Sequence, residues 1–382
     1  IWDTLNQQRG AVDVYGAPFG ADVRIFAHAL KKRGGRGCYI ARDERQAQSA
    51  LALARFFEPG LPSLYLPAWD CLPYDRVSPT PTLAAQRCTT LAHLAHQSDD
   101  ENVLVVATAN ALVQRSAPKA HMAKSSFAAV VGSDVNQEAL QEYLGINGYA
   151  RADVVHEPGE YAIRGGIIDI FPPDIPEPVR LDFFGDTLEG VRTFDPETQR
   201  STAKLNNVAF APVSEITFSD EALSTFRVGY LEAFGPPGGD PMYESARARI
   251  KRQGLEHWLP LFHGKVDTVF EFVGEQALIG VDKQTINIAL ERIKLAREYY
   301  ETRVHAAGGD EMDAKVLAPD RLYLAKNELE EKLKKANAVT FHGNDAPPST
   351  SGLLANAAPS RDFAVERSNP SKNVFDAALA YA

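Results

Sequence analysis

Residues 15–23, YGAPFGADV, follow a short apolar run and precede a helical pattern, where a parallel α/β sheet places a phosphate-binding loop. Phosphate chemistry there needs glycines that let backbone N–H groups close on the anion. It also needs a lysine that reaches the phosphates and a Ser or Thr for magnesium, spaced as GxxxxGK[ST]. Gly16 and Gly20 are in the loop, but the lysine and the hydroxyl are absent, and Asp22 brings negative charge to where phosphate charge would lie. The loop reads as a degenerate nucleotide loop, a tight turn in which Asp22 caps the next helix. The carboxylates of a DExx box are missing as well, because the apolar run 103–107 continues into Thr108, Ala109 and Asn110. No catalytic residue, cofactor or metal is assigned on these grounds.

Other residue types that could do chemistry have plainer readings. His93 and His96 sit three apart on one helical pattern with no third ligand nearby, which favours a surface pair over a metal site. EHWLPLFH (256–263) carries His257, Trp258 and His263, and its apolar residues read as core packing. LPAWDCLPYDRVSPTP (66–81) offers Trp69 and Tyr74 for base stacking but only Arg76 for charge, so an ordered loop packed on the sheet is favoured. Cys38, Cys71 and Cys88 are far apart and form no CxxC, the pattern of reduced thiols in a cytoplasmic protein.

The stretch 148–200 is the most specific part of the chain. On the strand-like run 160–164, Tyr161 and Ile163 share one face, and Ala162 and Arg164 the other. On 179–184, Val179, Leu181 and Phe183 share a face, leaving Arg180, Asp182 and Phe184 opposite. Arginines beside an aromatic ring on a sheet face have the composition of a protein-binding hot spot. The alternative is that these arginines pair with Asp153, Asp169 or Asp182 on a solvated face. Between residues 149 and 216 there are twelve acidic and six basic residues, so a protein partner suits this region better than DNA.

The elements that must position these groups fall into two rhythms. Strand and helix alternate over 11–115, with strands at 12–15, 38–41, 63–66 and 103–107. The helices are at 22–33, 43–57 and 83–97, with Asp43 as an N-cap. From 149 to 216 the apolar residues alternate at period two, and turn signals recur at Pro158-Gly159, Gly165-Gly166, Gly185-Asp186 and Asp195-Pro196. Helices then return at 220–234, 243–253 and 285–305, with strands at 269–272 and 277–281 between them, and 343–370 reads as linker. The expected architecture is an α/β parallel-sheet domain in two segments, 1–116 and 214–335, with a β-rich α+β domain inserted at 117–213 and a tail at 336–382. The net charge of −10 over 382 residues argues against DNA binding by the whole surface. A first residue other than Met and a helical pattern at 373–382 lead to the expectation of a fragment of a longer chain.

PAWDCLPYDRVSP, TANALVQR, GYARADVV, EYAIRGGIIDIFPP, RLDFFGDTLEGVRTFDPETQR and EHWLPLF, in this order, resemble the N-terminal UvrB-homology module of the bacterial transcription-repair coupling factors. The likeness runs from about residue 16 to 321 and recurs weakly at 361–380. It implies a degenerate helicase-like, P-loop-type fold without ATPase motifs and without UvrB's DNA-clamping hairpin, for which the few residues after Tyr74 leave no room. It also implies that the β-rich domain docks UvrA, with Arg151 and Arg164 matching partner-contacting arginines and Arg180 and Phe184 as further candidates. Ala162 departs from the arginine common in UvrB. In such proteins the translocase motor, the DNA contacts and the grip on RNA polymerase belong to later parts of the chain, and the docking surface is masked by the protein's own C-terminal part. The competing readings are an ATP-dependent helicase fragment with a working nucleotide site and a direct binder of damaged DNA.

Overall fold

The computed structural model describes residues 4–5, 10–173, 175–309, 314–344, 352–357, 362–369 and 373–381. The first strands are Val12–Tyr15 (β1), Arg36–Ala41 (β2), Ser63–Leu66 (β3), Val103–Thr108 (β4) and Phe127–Val130 (β5). Ala150–Arg151 (β6), Glu160–Arg164 (β7), Ile167–Ile170 (β8), Val179–Phe184 (β9) and Thr187–Phe194 (β10) follow. The last are Ser201–Leu205 (β11), Asn207–Phe210 (β12), Leu278–Asp282 (β13), Asn337–Phe341 (β14) and Leu353–Leu354 (β15).

Seven strands form one sheet in the order β15-β1-β14-β13-β2-β4-β3, with every pairing parallel. β2 and β4 are buried at every position, as central parallel strands covered on both faces must be. Their alternation sorts the core into two layers. Cys38, Ile40, Val103, Val105 and Ala107 pack with helices Pro81–His96 and Asp220–Phe234. Tyr39, Ala41, Leu104 and Val106 pack with helices Ala21–Arg33 and Glu44–Phe57. A Cβ on Gly37 or Gly280 would lie 2.5 Å from Leu30 or Phe26, so these two glycines let helix Ala21–Arg33 settle against β2 and β13.

The strands β6 to β11 form a six-stranded sheet in the order β11-β10-β9-β8-β7-β6, antiparallel except for the β6–β7 pair. Helix Gln137–Ile146 buries Leu140 and Leu144 against its Tyr161, Ile168, Ile170, Val179, Leu181, Leu188 and Val191. β5 and β12 pair with each other. In the chain these strands lie between β4 and β13, two strands of the parallel sheet.

A buried ion pair sits where the chain passes between the two sheets. Arg87 and Glu215, with side chains 1% and 4% exposed, meet at 2.8 Å. The same Glu215 carboxylate accepts from Trp69 Nε1 at 3.3 Å and from the Ala117 N–H at 2.9 Å. Ala117 precedes β5 and Glu215 follows β12, so one carboxylate holds both passages.

Several expectations need correction. Residues 269–272, read as a strand, belong to helix Val269–Val273, because Thr268 and Glu271 form a capping box that overrides the alternation of VFEFV. The helix expected at 243–253 is Pro241–Arg247, and the chain then turns through Arg249 and Gly254 at positive φ. Of the presumed linker, 345–351, 358–361 and 370 lie outside the described residues. In the remainder Leu353–Leu354 extends the sheet beyond β1 and Ala364–Ser368 is helical. Among the described residues no helix is long and apolar enough to cross a membrane.

Candidate protein interface

The register of the six-stranded sheet carries its polar residues across the face turned away from helix Gln137–Ile146. One row runs Ala162, Asp169, Arg180, Arg192, Lys204, and the next runs Arg164, Ile167, Asp182, Gly190. In the first row Asp169, 1% exposed, is the anchor. It takes two contacts from Arg180, Nε to Oδ1 at 2.7 Å and Nη2 to Oδ2 at 2.9 Å, and one from Arg164 Nη2 at 3.3 Å. Arg180 also lies 4.6 Å from the centre of the Phe194 ring and donates to the Gln199 carbonyl. The adjacent carboxylate holds its guanidinium firmly charged. Arg180 is therefore fully engaged within the sheet, and its side chain is only 16% exposed.

Arg164 differs. Its side chain is 48% exposed and held by a single long contact, so most of its donors face outward. Phe184, 76% exposed, stands at the end of β9 beside the Gly165–Gly166 turn, where its neighbour Phe183 donates to the Gly166 carbonyl at 2.7 Å. Arg192 completes the patch by holding Asp182, with Nε to Oδ2 at 3.0 Å. The sheet thus brings Arg164, Arg180 and Phe184 to one face. Arg151 is not among them: β6 puts it in register with Tyr161 of the covered face. It is exposed at the sheet edge and makes no ion pair among the described residues. Ala162 is buried with Val155, Phe171 and Phe194. Asp169 and Arg192 escaped the sequence reading of the site, although Asp169 was among the expected arginine partners.

The degenerate loop has its own geometry. Gly16 and Gly20 adopt φ of +68° and +98°. The N-cap of helix Ala21–Arg33 is Gly20, not Asp22, which corrects the capping expectation. Asp22 lies inside the first turn and reaches back: Oδ1 accepts from the Gly20 N–H at 2.9 Å and the Val23 N–H at 2.6 Å, and Oδ2 accepts from Tyr39 OH at 2.7 Å. Burial pushes its carboxyl up to about 6 against these hydrogen bonds. N–H groups of the kind that cradle a phosphate are here taken by a side chain of the chain itself.

The remaining candidates are structural. His93 Nε2 meets Glu101 at 3.2 Å. Trp69, Tyr74 and Trp258 are buried, with the rings of Trp69 and Tyr74 both packed on His257. Among the described residues there is no cluster of three or more His, Cys, Asp or Glu able to hold a metal.

Residues 128–216, which hold the six-stranded sheet and this face, match the family model of the UvrB interaction domain, and that defines the class: a protein carrying a UvrB interaction domain next to a parallel α/β sheet. The chain is 32% identical over 327 residues to the transcription-repair-coupling factor of Haemophilus influenzae, covering 84% of this chain and 28% of that protein. It is 30% identical over 355 residues to that of Escherichia coli (strain K12), covering 90% of this chain and 29% of the relative. A third, from Myxococcus xanthus, is 35% identical over 247 residues, 61% of this chain and 20% of the relative. The chain matches the N-terminal, UvrB-like module of the transcription-repair-coupling factors. It spans less than a third of the length of these relatives.

Proposed function

We propose that this chain is a recruitment module without catalysis of its own, which binds UvrA and so links stalled RNA polymerase to nucleotide excision repair in the cytoplasm. The β-rich domain at 117–213 is inserted into a helicase-like domain built from 1–116 and 214–335, and RNA polymerase and DNA are engaged by other parts of the longer protein. The observation that carries the reading is the pair Arg164 and Phe184: a half-exposed guanidinium and an exposed ring on a rigid sheet face, within the stretch that matches the UvrB interaction domain. Arginine and aromatic anchors dominate protein interfaces, and arginine's fork suits carboxylates and carbonyls of a partner. Asp22, seated on the loop N–H groups, supports a nucleotide loop that is closed to phosphate.

The test is capture of UvrA by this chain, wild type against Arg164→Ala and Phe184→Ala singly and together. The double variant, folded by circular dichroism, is expected to lose capture. Full retention would overturn the assignment of the face, and magnesium–ATP binding abolished by a bulky substitution at Gly16 would overturn the reading of the loop. Whether the longer protein masks this face with its own C-terminal part is tested by comparing UvrA capture by the chain and by the whole protein.

A further inference from the structure

A cavity of about 850 Å3 opens between the loop after β3, the turn at 237–241, the segment 252–258 and residues 314–317. Its size is that of a small-molecule site, which runs to roughly 300–1,000 Å3. Among the described residues four cations line it, Arg76, Arg252, Arg303 and Lys315, against two carboxylates, Asp75 and Asp240.

The partners decide which of these charges are free. Asp240 is satisfied within the chain, accepting from Tyr230 OH at 2.7 Å and from the Met242 N–H at 2.8 Å. Arg303 donates to the Tyr74 carbonyl at 3.1 Å and lies 4.0 Å from Asp75, and Lys315 donates to the Phe234 carbonyl at 3.1 Å. The guanidinium groups of Arg76 and Arg252 have no partner among the described residues. Burial pushes His257 in the same wall down to about 4, so it is neutral near pH 7 and adds no charge to the cavity. The remaining wall is apolar and aromatic, with Trp258, Met242 and Leu317.

Two guanidiniums without a partner among the described residues are a poor fit for an apolar ligand and a good fit for phosphate, whose oxygens match the arginine fork. An apolar, aromatic wall suits a planar heterocycle attached to that phosphate. We infer that this cavity binds a nucleoside phosphate, with Arg76 and Arg252 on the phosphates and the base against the wall that holds Met242 and Trp258. The site is separate from the degenerate loop, whose own cavity is lined by Asp22, Arg42 and Lys283. The same chemistry has two sources, a free nucleotide and the nucleotides of a single strand, and the free nucleotide is favoured because the pocket is concave and the chain as a whole is acidic.

The experiment is calorimetric titration of the chain with ADP and, separately, with a short thymidine oligonucleotide. ADP is expected to bind saturably. Arg76→Ala combined with Arg252→Ala is expected to weaken it about tenfold or more with the thermal midpoint unchanged, since both side chains are exposed. Lys283→Ala, at the other cavity, is expected to leave ADP affinity unchanged. Absence of ADP binding at millimolar concentration overturns the inference, as does binding that ignores the arginine pair or is lost in Lys283→Ala. Tight oligonucleotide binding that ADP fails to displace assigns the arginines to a strand and overturns it too.

Discussion

Arg164 and Arg180 share one carboxylate, yet their replacement by alanine should have opposite consequences. Arg180→Ala removes both short contacts to Asp169 and leaves a carboxylate 1% exposed with only the 3.3 Å contact to Arg164. Orphaning a buried charge costs about 3–5 kcal/mol, and the lost stacking on Phe194 adds to it. Arg164→Ala removes one long contact from a side chain 48% exposed, a loss of about 0–1 kcal/mol. On the partner side, a central arginine is worth about 2 kcal/mol or more, roughly thirtyfold in affinity. The assay pairs a urea unfolding curve followed by circular dichroism with UvrA titration by calorimetry. Arg164→Ala is expected to unfold with the wild type and bind UvrA at least about thirtyfold more weakly. Arg180→Ala is expected to lose about 3 kcal/mol of stability, most of it recovered in Asp169→Leu with Arg180→Met, which removes the buried charge with its partner. If Arg180→Ala unfolds with the wild type, or Arg164→Ala is as destabilised as Arg180→Ala, the division of labour argued from their exposure is wrong.

Other outcomes follow from the same geometry. Phe184→Ser leaves the thermal midpoint within error and weakens UvrA binding, as its 76% exposure requires; a lower midpoint would make the ring structural. Arg151→Ala weakens UvrA binding less than Arg164→Ala, because Arg151 stands at the edge and out of the row, and calorimetry of both variants side by side checks this. Asp22 has its carboxyl raised from 3.8 to about 6, so its contribution to stability is fully present below about pH 4 and fades as pH rises through 6. Asp22→Asn is therefore expected to be more stable than wild type at pH 8, by up to about 3 kcal/mol, and to lose that advantage near pH 4. Urea midpoints at the two pH values measure it, and an unchanged pH slope would count against the buried carboxylate. Glu215→Leu strands Arg87 and is expected to cost about 3–5 kcal/mol by calorimetric melting, with Arg87→Met in the same chain restoring much of it.

Much of the fold is legible because local signals agree with burial. The all-apolar run VLVVA could only be a covered strand, and Asp43 three residues before Gln46 marked a helix start that the Asp43 side chain does cap. Where local signals conflicted the reading slipped: VFEFV alternates like a strand, and only the Thr268–Glu271 spacing revealed the helix. β14 went unassigned although it pairs between β1 and β13, because its place depends on partners more than fifty residues away in sequence. The face was legible by parity, since Arg164, Arg180 and Phe184 do share a side. The role of each arginine was not, because Asp169 chooses between them through register and depth, which alternation alone does not carry. Arg151 carried no parity signal, as a two-residue strand has no alternation to read.

The Glu215 carboxylate changes how a load on the sheet would be felt. With Ala117 on the way in and Glu215 on the way out held at one buried point, and Arg87 bolting that point to helix Pro81–His96, the passages resemble a welded bracket more than a pair of tethers. A partner seized by the outer face of β7 to β10 would be carried along with the parallel sheet, and tension from a moving neighbour would reach it with little slack.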